Sequence, residues 1–187
     1  MEVLKRLLPA LLCGASLYGA FVGGAGAIES ATEYQVKAVF LFNFSHFVEW
    51  PPQAFTTPTE PFVIGILGSD PFGARMDEAV RGEVINQHPL VIRRFRNAAD
   101  VGNCQILFID RSEGEHVKPI LASLDHRNIL TVADLEGAAG RGVMIEFTTE
   151  NNRIRLRINP DAAKGAGLTI SSKLLRPAEI VGTAVRD

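Results

Sequence analysis

Cysteine is nearly missing from this chain of 187 residues, which holds only Cys13 and Cys104, and Cys13 lies in a stretch that reads as a removable leader. With one thiol left, no internal disulfide can form, and the fold has to stand on its apolar core. The four histidines, His46, His88, His116 and His126, are scattered and form no ligand pair at helical spacing. There is no HExxH, GxSxG or CxxC, no phosphate-binding lysine loop and no EF-hand loop. These absences argue against an ordinary hydrolase or metalloenzyme, and no cofactor is implied. Basic charge is not in excess either: Lys and Arg number 19 against 21 Asp and Glu, for a net charge of −2, so nothing suggests a nucleic-acid partner. Internal repeats, low-complexity tracts and long linkers are also lacking, which leaves a single domain as the simplest parse.

What is present begins with an address. Lys5 and Arg6 precede an apolar stretch from Leu7 to Val22, and Ala25-Gly26-Ala27 supplies small side chains at the cleavage position. The reading is a signal peptide over residues 1–27 and one mature domain over 28–187, exported out of the cytoplasm. An uncleaved anchor competes with it, but Pro9, Gly14 and Gly19 dilute the run below the roughly 20 apolar residues that span a bilayer. Lipid attachment at Cys13 is the other competitor, and Leu12 is a bulky residue to precede such a cysteine. Cleavage removes Glu2, Lys5 and Arg6, taking the net charge from −2 to −3. Cys104 heads the apolar run Gln105 to Ile109, where a thiol reads as a small core residue, with pairing between chains as the alternative.

Patterning predicts an α/β fold with a mostly parallel central sheet flanked by helices and an antiparallel hairpin toward the C-terminal end. Glu33 to Trp50 reads as the first helix, stopped by Pro51-Pro52, and its apolar residues cover nearly the whole circumference, so something must cover both sides. Phe62 to Leu67 is a continuous apolar run suited to a strand buried on both faces. Asp70-Pro71 then caps a helix that runs to Gly82. Leu90 to Phe95, Gln105 to Ile109 and Ile129 to Val132 read as further strands, with a helix from Gly114 to Leu124 that Pro119 kinks or shortens. Val143 to Phe147 and Ile154 to Ile158 flank the turn-rich Thr149-Glu150-Asn151-Asn152 and read as a hairpin edging the sheet. Asn159-Pro160-Asp161 caps a short helix through Lys164.

Several groups of residues could carry function. Gly68 to Gly73 joins a strand to a helix and could hold an anion, although Asp70 would occupy that position itself. Gly137 to Gly142 reads as a flexible loop able to line a ligand cleft with Arg141 as donor. His46 and Glu49, three residues apart near the helix end with Trp50, could pair as acid and base or form a simple salt bridge. Arg153, Arg155 and Arg157 alternate with Ile154, Leu156 and Ile158, which sets three guanidinium groups along one face of a strand. That row serves either as a charged edge that resists sheet-to-sheet aggregation or as a surface for an acidic partner.

The stretch Glu33-Tyr34-Gln35-Val36-Lys37-Ala38 through Asn43-Phe44, Phe47-Val48-Glu49-Trp50-Pro51 resembles the opening motif of the YfiR-like family of bacterial periplasmic proteins. Gly68-x-Asp70-Pro71-Phe72-Gly73, Cys104-x-Ile106-Leu107-Phe108-Ile109, Asn151-Asn152-Arg153-Ile154-Arg155 and Ala166-Gly167-Leu168-x-Ile170-Ser171-Ser172-Lys173-Leu174-Leu175 follow in the family's order. The resemblance implies binding rather than catalysis. It implies a homodimer that restrains a membrane-bound diguanylate cyclase through that enzyme's periplasmic sensor domain and so lowers cyclic-di-GMP. Some members carry extra cysteines that form disulfides, which this chain cannot reproduce internally. The partner surface is expected at Arg153, Arg155, Arg157, Ile170, Lys173 and Leu174, and dimer contacts at Phe42, Phe44 and Trp50. The alternative is a periplasmic small-molecule binding module with its cleft near Gly68 to Phe72 or beside Trp50.

Overall fold

A computed structural model describes residues 25–182 apart from position 126. The expected export signal falls on residues that lie outside this region, except that positions 25–27 open the first helix. That helix, α1 (Ala25–Phe47), stops three residues short of the expected end, and Val48–Glu49 leave it as strand β1. Two causes combine. Trp50 precedes a proline, which disfavours helical backbone there, and the carbonyl of Phe47 accepts from the Ser171 amide at 2.8 Å. β1 is thereby turned to pair with a later two-residue strand at Thr169 and Ile170.

Next come β2 (Phe62–Leu67), α2 (Ala74–Val80), β3 (Val84–Ile85), β4 (His88–Phe95) and β5 (Ile106–Ile109). All six residues of β2 are buried, as its unbroken apolar run predicts. Helix α2 begins later than Asp70-Pro71 implies. The Asp70 carboxylate accepts from the amides of Phe72 and Gly73 at 2.8 and 3.1 Å, closing a turn ahead of the helix. After β5, Asp110 caps a 3-10 turn over Arg111–His116 that leads into α3 (Val117–Ser123). Pro119 sits in the first turn of α3, where its missing donor has no intrahelical acceptor to lose.

The chain continues through β6 (Leu130–Ala133), β7 (Ile145–Glu150), β8 (Arg153–Ile158), α4 (Pro160–Gly165), β9 (Thr169–Ile170), α5 (Ser172–Leu175) and β10 (Glu179–Ile180). Asn151 and Asn152 have φ of 49° and 57°, the positive values that a two-residue hairpin turn requires. Asn159 caps α4 by accepting from Ala162 N at 3.0 Å.

One sheet runs in the order β10-β8-β7-β6-β5-β2-β4-β3, and β1 pairs with β9 in a separate antiparallel ribbon. Neighbours from β4 to β7 are parallel, while β7 and β8 form the expected antiparallel hairpin. The hairpin does not close the sheet, because β10 adds outside it, parallel to β8 at Arg157 and Ile158. Both faces are covered. Leu41 and Phe44 of α1 and Met76 of α2 bury one face with Phe62, Phe108 and Phe147. On the other face, Val117 and Ile120 of α3 cover Leu107, Ile109 and Val143.

The all-round apolar character of α1 resolves into one buried stripe, Lys37, Leu41 and Phe44, at helical spacing, with Val48 buried beyond it in β1. The flanking Phe40, Phe42 and Phe47 are half-buried, and Val36 stays 42% exposed. Phe44 is therefore a core residue, stacked on Phe147 with ring centres 6.0 Å apart, and not a surface aromatic available to a second copy.

Candidate functional site

A single cation sits on that buried stripe. Lys37 is fully buried, and its ammonium lies 2.5 Å from Glu33 Oε1 and 2.7 Å from Asp134 Oδ2. Glu33 is one turn back on the same helix. Asp134 immediately follows β6, so the carboxyl end of a parallel strand delivers it beneath α1. Tyr34 donates its hydroxyl to Asp134 Oδ2 at 2.8 Å. Arg111, held in the turn after β5, donates to Asp134 Oδ1 at 3.1 Å and to its carbonyl at 3.2 Å. From the end of β7, Thr149 donates to Glu33 Oε1 at 3.2 Å. Lys37 Nζ also lies 4.8 Å from the centre of the Tyr34 ring and 5.8 Å from that of Phe147.

The cluster balances two cations against two carboxylates. Burial by itself would push the Asp134 carboxyl up, but hydrogen bonds from Lys37 and Arg111, with the charge of Lys37 close by, hold it below the usual carboxylate value. Burial and the bond to Asp134 push the Tyr34 hydroxyl up, so it stays a donor near neutral pH. The Lys37 ammonium is committed to two carboxylates, which leaves no open line for an electrophile. The arrangement fixes how α1 docks on three strand ends; it does not assemble an acid, a base and a nucleophile.

Three hollows border the cluster. One of about 600 Å³ runs between α1 and the hairpin past Val36, Phe40, Arg153 and Ile154. One of about 580 Å³ passes Arg111, Asp134, Thr148 and Arg157. The third, about 290 Å³, lies beside Tyr34, Asp70, Phe72 and Arg75.

The loops singled out from the sequence are filled from within. Besides the two amides that Asp70 takes, the Ser69 amide donates to Ser112 Oγ at 3.1 Å. Gly68 has φ +90°, and a Cβ there would come within 2.6 Å of Ser112 Oγ, so the ends of β2 and β5 press together without room for a phosphate. In the 137–142 loop, the amides of Gly137 and Ala139 donate at 2.9 Å to the fully buried carboxylate of Glu146. Arg141 is tied to the carbonyls of Gly114 and Glu136. His46 ends α1 and packs its ring 5.2 Å from Phe42, whereas Glu49 is in β1, so the two no longer share a helical face.

The arginine row exists as expected, opposite Glu150, Thr148 and Glu146 of β7. Arg153 and Arg155 are exposed, while Arg157 donates to Glu179 at 2.9 Å and lies 3.8 Å from Glu146. Ile170 is half-buried in β9, and Lys173 is exposed on α5. Leu174 points into the core, so its expected place on a partner surface gives way to a packing role. Phe42 is half-buried. Trp50 packs edge-on against Phe62 and donates to the Gln105 carbonyl at 3.1 Å.

Sequence reasoning missed Lys37, Glu33, Asp134 and Arg111. The available signal was a lysine on the innermost stripe of an apolar helix, because lysine is almost never fully buried unless it is paired. No curated protein matches the chain. A family model described as YfiR/HmsC-like matches residues 34–179, from Tyr34 at the cluster to Glu179 of β10. By that match, which takes in β1 to β9 and the C-terminal part of α1, the chain belongs to the YfiR/HmsC-like family.

Proposed function

We propose that the protein is a periplasmic regulator that restrains a membrane-bound diguanylate cyclase by binding the cyclase's periplasmic sensor domain. The observation that carries this reading is the family match over nearly all the described chain. A site that closes on itself in ion pairs, rather than opening around a reactive group, supports a binding role over a catalytic one. Acting from the periplasm, such a protein reaches cytoplasmic cyclic-di-GMP only by shifting a membrane partner between states. That shift needs differential affinity: about 10⁴-fold tighter binding to the inactive state moves a 1:99 equilibrium to 99:1.

The partner surface we assign is the exposed pair Arg153 and Arg155 with Lys173 and the half-buried Ile170, with Arg157 and Leu174 supporting it from beneath. The half-buried Phe42, beside His46 on the outer side of α1, and the edge of Trp50 are assigned to contact with a second copy. Cross-linking the exported, tagged protein in intact cells and recovering it from solubilised membranes tests the proposal. A membrane protein with a cytoplasmic cyclase domain is the expected partner; its consistent absence contradicts the reading.

The hollow of about 290 Å³ beside Asp70 and Phe72 favours a second reading, a small-molecule binding module, because it lies beyond the carboxyl end of β2 where ligands of parallel sheets collect. A metabolite that raises the melting temperature, with no membrane protein recovered, would decide for it.

A further inference from the structure

Strand β8 is covered unequally on its two edges. β7 pairs along its whole length, from Arg153 to Ile158, but β10 meets the other edge only at Arg157 and Ile158. Among the described residues, no strand lies outside Arg153 to Leu156. The hairpin sets which groups face that open edge. Glu150 and Arg153 flank a two-residue turn and form its hydrogen-bonded pair, so Ile154, Leu156 and Ile158 direct their amides and carbonyls away from β7. The Ile158 carbonyl shows this directly, accepting from Val181 N at 2.9 Å on the outer side. Ile154 and Leu156 have the same parity.

The two faces flanking this edge differ in chemistry. Toward α1 lies the hollow of about 600 Å³ with Val36, Phe40 and Ile154 on its walls. Arg153 and Arg155 alternate with Ile154 along the strand, Arg153 reaching the rim of that hollow at the turn end, and both are exposed with neither in an ion pair among the described residues. Pairing of this edge with the same edge of a second copy would bring arginine rows together, which like-charge contacts across a ladder disfavour. An incoming strand that alternates apolar residues with Asp or Glu meets both requirements at once.

Resting on the regulator reading, we propose that the open edge of β8 is where the partner docks. An extended segment of the partner, apolar toward α1 and acidic toward Arg153 and Arg155, adds to the sheet beside Ile154. Main-chain hydrogen bonds give this contact its affinity, and the arginines select its charge.

The test uses the protein and three synthetic ten-residue peptides: one alternating Glu or Asp with Val or Ile, one of the same composition with acidic and apolar residues in separate blocks, and one alternating Lys with Val or Ile. Titration followed by backbone NMR and amide exchange should show the alternating acidic peptide binding and slowing exchange at Ile154, with the other two at least tenfold weaker. Arg153→Glu with Arg155→Glu should weaken the acidic peptide about tenfold and favour the Lys peptide. Ile154→Pro removes the outward donor without touching the β7 ladder and should abolish binding with the circular-dichroism spectrum unchanged. No binding at millimolar peptide, equal binding of the block peptide, perturbations confined elsewhere, or self-association through this edge would overturn the proposal. If these variants still capture a membrane cyclase at full strength, the docking edge is wrong and the regulator stands. If the unaltered protein captures none, the regulator reading falls, and the titration alone decides the edge.

Discussion

Lys37 and Phe44 stand on the same buried stripe of α1, and their costs of removal differ in kind. Truncating Phe44 to Ala opens a cavity against Phe147 and should cost about 3–5 kcal/mol. The denaturant midpoint should fall by that measure, while sedimentation shows the oligomeric state unchanged; a changed oligomer with unchanged stability would restore Phe44 to a dimer contact. Lys37→Ala leaves the Asp134 and Glu33 carboxylates facing each other without their shared cation, and breaking such a buried pair costs about 3–5 kcal/mol. Asp134 also sets a pH dependence. Its folded carboxyl titrates below the ordinary value of about 3.9, so its stabilisation is complete above about pH 4 and is lost as pH falls through the folded value. Asp134→Asn should lower stability at pH 7 and flatten the loss below about pH 4, as read from urea midpoints. A parallel acid limb in both proteins contradicts the assignment. Cys104, by contrast, is chemically silent: burial pushes its thiol up to about 12, so a thiol reagent at pH 8 should label it only as fast as the protein opens.

The hairpin β7–β8 is the element on which the docking geometry depends, and its turn depends on two asparagines at positive φ. Asn151→Val puts a branched Cβ at φ 49°, which should cost about 1–2 kcal/mol and loosen the β8 register, measured as faster amide exchange at Ile154. Unchanged exchange there would show that packing of Leu156 and Ile158, not the turn, sets the register. This hairpin was legible in the sequence because its signals are local: two alternating runs and an Asn-Asn pair. β2, β5 and β6 were legible because strands covered on both faces are apolar throughout. Other features leave no local mark. β10 is two residues long, and its place follows from register with Arg157 and Ile158, so no periodicity announces it. The start of α2 was misplaced because the Asp70 carboxylate serves a turn that precedes the helix. The Lys37 cluster joins Glu33, Arg111, Asp134 and Thr149 from four separate elements, which only the topology brings together. The arginine row was visible from alternation alone, but not the fact that Glu179 engages Arg157 while Arg153 and Arg155 stay exposed.

At the scale of the molecule, α1 is latched over the carboxyl ends of β5, β6 and β7 by the Lys37 cluster, and the same helix walls the groove beside β8. Among the described residues, no helix is long and apolar enough to cross a membrane. On the proposed reading the protein acts on its membrane enzyme by contact, and the open edge of β8 with Arg153 and Arg155 is the surface proposed for it. The central claim is that this contact holds cyclic-di-GMP synthesis down. Its most direct test is the cellular cyclic-di-GMP concentration after deletion of the gene, with complementation by the full chain and by a form lacking residues 1–27. The account predicts a several-fold rise on deletion that the full chain reverses and the leaderless form does not; an unchanged concentration on deletion, or equal rescue by the leaderless form, would contradict it.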